Sequence, residues 1–203
     1  GSTNVYSVSF STPTGFSGTV ANIGPDATDS DANPSTGVTG SYTLAANEFN
    51  TTVDAGFIKP ASLGNYVFAD NDRNGVQSPG DTPISGVTVN LLLNGSVVAT
   101  TTTDASGLYS FTGLTPGLTN VNSLSFTAPA GLTATTPRSG TDNTIDSDAD
   151  LVTGLSGSVT LTSGETNTTI DAGYQRLTAG LGDYVWEDKN ANGQQDAGEP
   201  PIS

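Results

Sequence analysis

DNDRNGVQSPGD, residues 70–81, and DKNANGQQDAGE, residues 188–199, are two versions of one twelve-residue pattern. Both carry oxygen side chains at positions 1, 3 and 5: Asp70, Asp72 and Asn74 in the first, Asp188, Asn190 and Asn192 in the second. Both place glycine at position 6 (Gly75, Gly193) and an acid at position 12 (Asp81, Glu199). This is the ligand spacing of an EF-hand-type calcium loop, in which position 7 supplies a backbone carbonyl and position 9 often acts through water. A hard cation of this size needs six to eight oxygens, and the chain can curl around it only if glycine makes the sharp turn. Acidic Asn/Gly turns also occur without metal. The recurrence of the pattern in the same ligand phase favours the cation.

The flanks are not those of an EF-hand. LGNYVFA and LGDYVWE precede the loops as short aromatic and β-branched runs that predict strands. TPISG and PPIS follow, where proline forbids immediate entry into a helix. The loops therefore join β elements. Alternating Tyr66, Phe68, Tyr184 and Trp186 on the leading strands predict core or junction packing, with sugar stacking as the alternative.

Five basic residues against 20 acidic give the 203-residue chain a net charge of −15. Such a surface repels phosphate, so nucleic acid and anionic lipid are excluded as partners. No apolar run is long enough to span a bilayer, so no membrane insertion is expected in this window. Cysteine is absent, which rules out disulfides and thiolate metal sites. Histidine is absent too, which removes the usual general base and the commonest transition-metal ligand. Carboxylate and carbonyl oxygens remain, and these suit calcium or magnesium.

Self-comparison sets the organisation. GSTNVYSVSFSTPTGF (1–16) matches GLTNVNSLSFTAPAGL (117–132), NTTVDAGF (50–57) matches NTTIDAGY (167–174), and LGNYVFADNDRNG (63–75) matches LGDYVWEDKNANG (181–193). The offsets drift from 116 to 118, so the unit is about 118 residues, the size of one domain. Residues 1–60 are read as the second half of a module, 61–178 as a complete module and 179–203 as the start of the next. The window looks cut from a longer tandem array. Within the complete unit, strands are expected from LGNYVF, GVTVNLLL (86–93), SVVATTTT (96–103), LYSFTGL (108–114), VNSLSFTAP (121–129), GSVTLTS (157–163) and NTTIDAGY, with Asn94-Gly95 as a two-residue hairpin turn. About seven short strands, frequent turns and no helical period predict an all-β chain of antiparallel sandwich modules.

These segments, with the DSDAD stretch at 146–150, together resemble the B-type repeat of serine–aspartate-repeat surface proteins, which is related to collagen-adhesin B-type modules. The resemblance implies an immunoglobulin-like sandwich that binds calcium and forms a stiff stalk at the cell surface or in a secreted fibre. It also implies the ligand sets: Asp70, Asp72, Asn74, the Val76 carbonyl and Asp81, then Asp188, Asn190, Asn192, the Gln194 carbonyl, Asp196 and Glu199. Position 12 of the first loop is the shorter Asp81 and position 9 is Ser78, so the first loop is expected to bind more weakly. Related modules often carry a Lys–Asn isopeptide bond. Here the only lysines are Lys59, in an apparent linker, and Lys189, inside a loop, so none is expected.

A second acidic pattern comprises Asp26, Asp29, Asp31 and Asn33, echoed by Asp142, Asp146, Asp148 and Asp150. Acids at i, i+2 and i+4 of an extended chain share one side and repel unless screened, so the segment is either a solvated loop or a second calcium site. Asp54 and Asp171, inside the apolar VDAGF and IDAGY runs, are candidate extra ligands or acids capping backbone amides. The short linkers FIKPASL and YQRLTAG predict closely coupled modules. With no nucleophile elbow and no phosphate loop, catalysis is not expected. The favoured function is a calcium-stabilised structural repeat whose partners are neighbouring modules. The alternative is an adhesive module that binds host protein or glycan.

Overall fold

The computed structural model describes residues 4–177 and 184–202. The expected module boundary at 178/179, the end of the second linker and the first residues of the LGDYVWE strand lie outside them. No described residue is helical. Ahead of Lys59 are β1 (Val5–Tyr6), β2 (Ser17–Gly18), β3 (Tyr42–Thr43) and β4 (Phe57–Ile58). Beyond it follow β5 (Ala61–Leu63), β6 (Val67–Ala69), β7 (Thr82–Pro83), β8 (Thr88–Leu93), β9 (Ser96–Thr102) and β10 (Phe111–Leu114). The chain continues through β11 (Val121–Phe126), β12 (Leu132–Ala134), β13 (Val159–Thr160), β14 (Thr166–Asn167) and β15 (Ala172–Arg176).

Two four-stranded sheets, β13-β11-β8-β9 and β12-β15-β6-β7, and a three-stranded sheet, β10-β5-β14, enclose one core. Period-two alternation builds it. In β11, Asn122, Leu124 and Phe126 are buried, and Leu124 and Phe126 stand opposite Leu91 and Val89 of β8. Tyr109 packs edge-on against Phe126 at 5.5 Å between centroids. Its hydroxyl donates to the Ile170 carbonyl, which satisfies the one polar atom that this buried ring carries. Asn94 and Gly95 have φ of 50° and 82°, the paired left-handed conformation that suits a two-residue hairpin. Phe68 is fully buried and stacks on half-buried Tyr66, so this ring belongs to the core.

Two features depart from the expected pattern of antiparallel strands. The run 61–69 is two strands in different sheets, because the chain crosses between them at Gly64. A Cβ there would lie 2.3 Å from the Tyr109 carbonyl oxygen, so only glycine permits the crossing. The second departure is parallel pairing. β14 runs parallel to β5 and β15 parallel to β6, because the last strands of the module return to its first ones. Parallel neighbours need a crossover rather than a tight turn, and here the remaining strands supply it.

Ahead of Lys59, β1 pairs with β3 and β2 with β4, as β11 pairs with β13 and β12 with β15 beyond it. Val8, which occupies the place of Leu124, is 40% exposed where Leu124 is 0%.

Candidate metal centre

The first loop leaves β6 and is closed by its own acids. Asp70 is buried, and its carboxylate accepts the Gly75 N–H at 2.8 Å and the Asn74 N–H at 3.2 Å, together with the hydroxyl of Thr135. Burial pushes the Asp70 carboxyl up, but the Thr135 hydroxyl and the Gly75 N–H outweigh it and hold it below the ordinary carboxylate range. At the other end, Asp81 accepts the Asn71 N–H and the Ser78 N–H, both at 2.8 Å. Asn74 accepts the Val76 N–H at 2.7 Å and donates to Asp72 at 2.9 Å and Ser78 at 2.6 Å. Oxygens of Asp70, Asp72 and Asp81 thereby come within 4.8 Å of one another. Three carboxylates this close, with only oxygen donors around them, fit a hard divalent cation.

The loop is also fastened to the rest of the module. Asp70 N–H donates to the Tyr174 carbonyl at 2.8 Å, Gln77 N–H to the Ile145 carbonyl at 2.7 Å, and Ser147 N–H to the Gly75 carbonyl at 3.0 Å. A cation held here would tie the exit strand β15 to the 136–147 segment. Thr135, fully buried, is a partner that sequence reasoning did not single out, since one threonine among many in β-rich sequence carries no signal.

The second loop repeats the local geometry. Asp188 accepts the Gly193 N–H at 2.8 Å and the Asn192 N–H at 3.2 Å, and Glu199 accepts the Lys189 N–H at 3.1 Å and the Asp196 N–H at 3.0 Å. Asp196, at position 9, accepts the Asn190 and Asn192 amides at 2.7 and 2.6 Å, so these candidate ligands converge. Asn192 accepts the Gln194 N–H at 2.7 Å, as Asn74 accepts that of Val76. Asp188 is more exposed than Asp70.

The other acidic segments divide the labour. Oxygens of Asp26, Asp29 and Asp31 gather within 4.8 Å, and one Asp29 oxygen is buried without a protein partner. Asn33 is drawn into a separate turn, accepting the Ser35 and Thr36 N–H groups. Between residues 142 and 150 the acids are held by separate partners rather than gathered on one cation. Asp142 accepts from Thr144, and Asp150 closes its own turn with Val152 and Thr153. Asp146 is buried beside Val76, with one oxygen unpartnered. Asp148 accepts the Asp171 N–H at 2.9 Å, as Asp31 accepts that of Asp54 at 2.7 Å. Asp171 is fully buried and caps the Tyr66 N–H at 3.2 Å and the Asn65 amide at 3.0 Å.

Burial, and then the charge of Asp148, push the Asp171 carboxyl up to about 8; burial raises that of Asp148 to about 6. In the folded chain these groups hold protons that the unfolded chain releases near 3.8. Without calcium, the contribution of these two groups to stability is therefore greatest below that value and is lost as pH rises towards 8. Thermal midpoints taken in chelator across this window should decline, and Asp171→Asn should flatten the decline. An equally steep decline in the variant would refute the assignment to Asp171.

Over residues 2–57 and 61–174 the chain matches the SdrD B-like domain family. It is 43% identical over 201 residues to serine-aspartate repeat-containing protein D of Staphylococcus aureus strain Newman, covering 98% of this chain and 14% of that protein. Against serine-aspartate repeat-containing protein F of Staphylococcus epidermidis the identity is 40%, covering 98% of this chain and 11% of the relative. The chain thus spans a small part of the curated relatives it matches. Among solved structures, the minor pilin GBS52 of Streptococcus agalactiae aligns at 13% identity and a TM-score of 0.42, covering 73% of this chain and 68% of the pilin. The shaft pilin spaA of Lactobacillus rhamnosus GG aligns at 18% identity and a TM-score of 0.33, covering 60% and 52%. With its family matched in two consecutive repeats, the chain belongs to the SdrD B-like domains.

Proposed function

We propose that this chain is a calcium-stabilised, non-catalytic stretch of a bacterial cell-surface stalk, built from tandem immunoglobulin-like modules with residues 61–178 as one complete unit. The observation that carries this reading is the convergence of Asp70, Asp72 and Asp81 in a loop bonded to both the exit strand and the 136–147 segment. A cation bound there holds the module's downstream end together. The ligands in the first loop are Asp70, Asp72, Asn74, the Val76 carbonyl and Asp81. In the second loop they are Asp188, Asn190, Asn192, the Gln194 carbonyl, Asp196 and Glu199. The second loop binds more tightly, through the extra carboxylate at position 9 and the longer acid at position 12.

Further sites extend the control to the joint. Asp29 and Asp54 line a cleft of about 590 Å³ that is bordered by Thr119 of the next module. A cation held by Asp26, Asp29 and Asp31 would stiffen that contact. The partners of each module are its neighbours along the chain.

Thermal unfolding of the 203-residue chain in millimolar calcium and in excess EGTA tests the proposal. Even a site of about 10⁻⁴ M affinity stabilises by about 1.4 kcal/mol in millimolar calcium, so several sites should separate the two curves by many degrees. Calcium should restore the midpoint, and magnesium poorly, because magnesium demands tighter octahedral geometry. Coincident curves would end the calcium reading.

A further inference from the structure

We infer that the turn Thr162–Glu165 is a docking surface for the exit residue of the preceding module, and that Lys59 staples the two modules together without a metal. The inference rests on the stalk reading but not on calcium. β4 ends at Ile58, and the next residue is already held by the following module. Lys59 N–H donates to Ser163 Oγ at 2.8 Å, and Gly164 N–H donates to the Lys59 carbonyl at 3.0 Å. The stem of Lys59 lies across Gly164: a Cβ at Gly164 would sit 3.3 Å from Lys59 Cβ and Cδ. Its Nζ reaches back over the ring of Phe16, 5.4 Å from the centroid, on the strand extension that runs beside β4. An ammonium over an aromatic face is attracted by the ring quadrupole. Three residues after Lys59, Ser62 N–H donates to the Glu165 carbonyl at 2.9 Å, where β5 has begun. The connection thus has almost no free length in which to bend.

The docking turn is built in advance. The Glu165 carboxylate accepts the Thr162 N–H at 2.8 Å and its hydroxyl at 2.9 Å. The leading half-module repeats it, with Glu48 accepting the Ala45 N–H at 2.6 Å and Asn47 at φ 66° where Gly164 has 77°. A repeat of this kind therefore presents a seat for the residue that leaves the repeat before it. At the next joint the residue equivalent to Lys59 is Arg176, which keeps the cation, while Leu132 replaces Phe16.

The chain lacks cysteine, so Ser11→Cys and Ser96→Cys, both at exposed positions, give a unique spin-label pair across the joint. Pulsed electron paramagnetic resonance in EDTA should give a narrow distance distribution for this otherwise unchanged chain. Lys59→Ala with Ser163→Ala, both on exposed residues, should broaden it about twofold, as expected when a clamped connection becomes a flexible linker. Circular dichroism should show an unchanged thermal midpoint, which separates a loosened joint from a lost fold. A distribution in the double variant as narrow as in its parent would overturn the inference. So would a parent distribution that is broad in EDTA and narrow only with calcium; that result would assign the joint to the cation and leave the calcium proposal standing. A narrow distribution in EDTA with coincident calcium and EGTA melting curves would do the reverse.

Discussion

Asp70→Ala should lower the thermal midpoint of the chain substantially even in calcium-free buffer, and should remove the first loop's share of the response to calcium. Asp70 is 2% exposed, and its carboxylate is the acceptor for two backbone N–H groups and the buried hydroxyl of Thr135. Alanine leaves the Gly75 N–H and the Thr135 hydroxyl without this acceptor in a region that water does not reach, whereas the Asn74 N–H belongs to an exposed residue. An unsatisfied buried donor costs about 1–3 kcal/mol, so two of them give about 2–6 kcal/mol, or on the order of 10 °C in a domain of this size. The loss of the position 1 ligand then removes the metal's contribution as well. Differential scanning calorimetry with and without calcium separates the two parts. A variant that melts with the parent in EGTA would show that the loop is not fastened through Asp70. One that keeps the full calcium shift would show that the first loop does not bind the ion. Thr135→Val, which removes only the hydroxyl, should show part of the calcium-free loss.

The second large effect is at Gly75, and its twin at Gly193 supplies the control. Both glycines have positive φ, 80° and 76°. At Gly75, an added Cβ would lie 2.4 Å from Ser139 Oγ and 2.4 Å from the Thr136 carbonyl oxygen; at Gly193 nothing lies within 4 Å. The left-handed conformation costs a non-glycine residue about 1–2 kcal/mol at either site. Only Gly75→Ala must also push a backbone carbonyl away, which adds about 1–3 kcal/mol. Equilibrium denaturation should therefore rank Gly75→Ala well below Gly193→Ala. Equal losses would mean that the first loop is not packed against the 136–147 segment. The comparison matters for function, because that packing is what lets a cation in the loop act on the module rather than on the loop alone.

Both predictions depend on interactions of different range, and that difference governs what could be read in advance. The candidate loop ligands lie within twelve consecutive residues, so spacing alone determines that Asp70, Asn74 and Gly75 share a turn, and the paired glycines at position 6 report the φ that the turn requires. The strands were legible for the same reason: burial alternates along GVTVNLLL and VNSLSF because successive side chains face opposite sides of a sheet. The acids of the DSDAD segment were harder. Their regular spacing suggested a shared face, but Asp148 is held by the Asp171 N–H and Asp150 by its own turn. No local pattern reports a partner 23 residues away.

By itself the sequence determined the repeat, its period, the absence of helix-forming periodicity, the oxygen-only donor chemistry and the two loops with calcium-type ligand spacing. Repetition and turn chemistry are properties of short segments and survive without knowledge of the fold. Tertiary structure alone decided the parallel returns of β14 and β15, the burial of Asp171 against Asn65 and Tyr66, the hydroxyl of Thr135 on Asp70, and the seat of Lys59 on the Ser163–Gly164 turn. Each of these joins residues between 65 and 106 positions apart, or strands from opposite ends of the module. Such contacts are selected by how the whole core closes, and closure is a global balance of packing against chain entropy that no single segment carries.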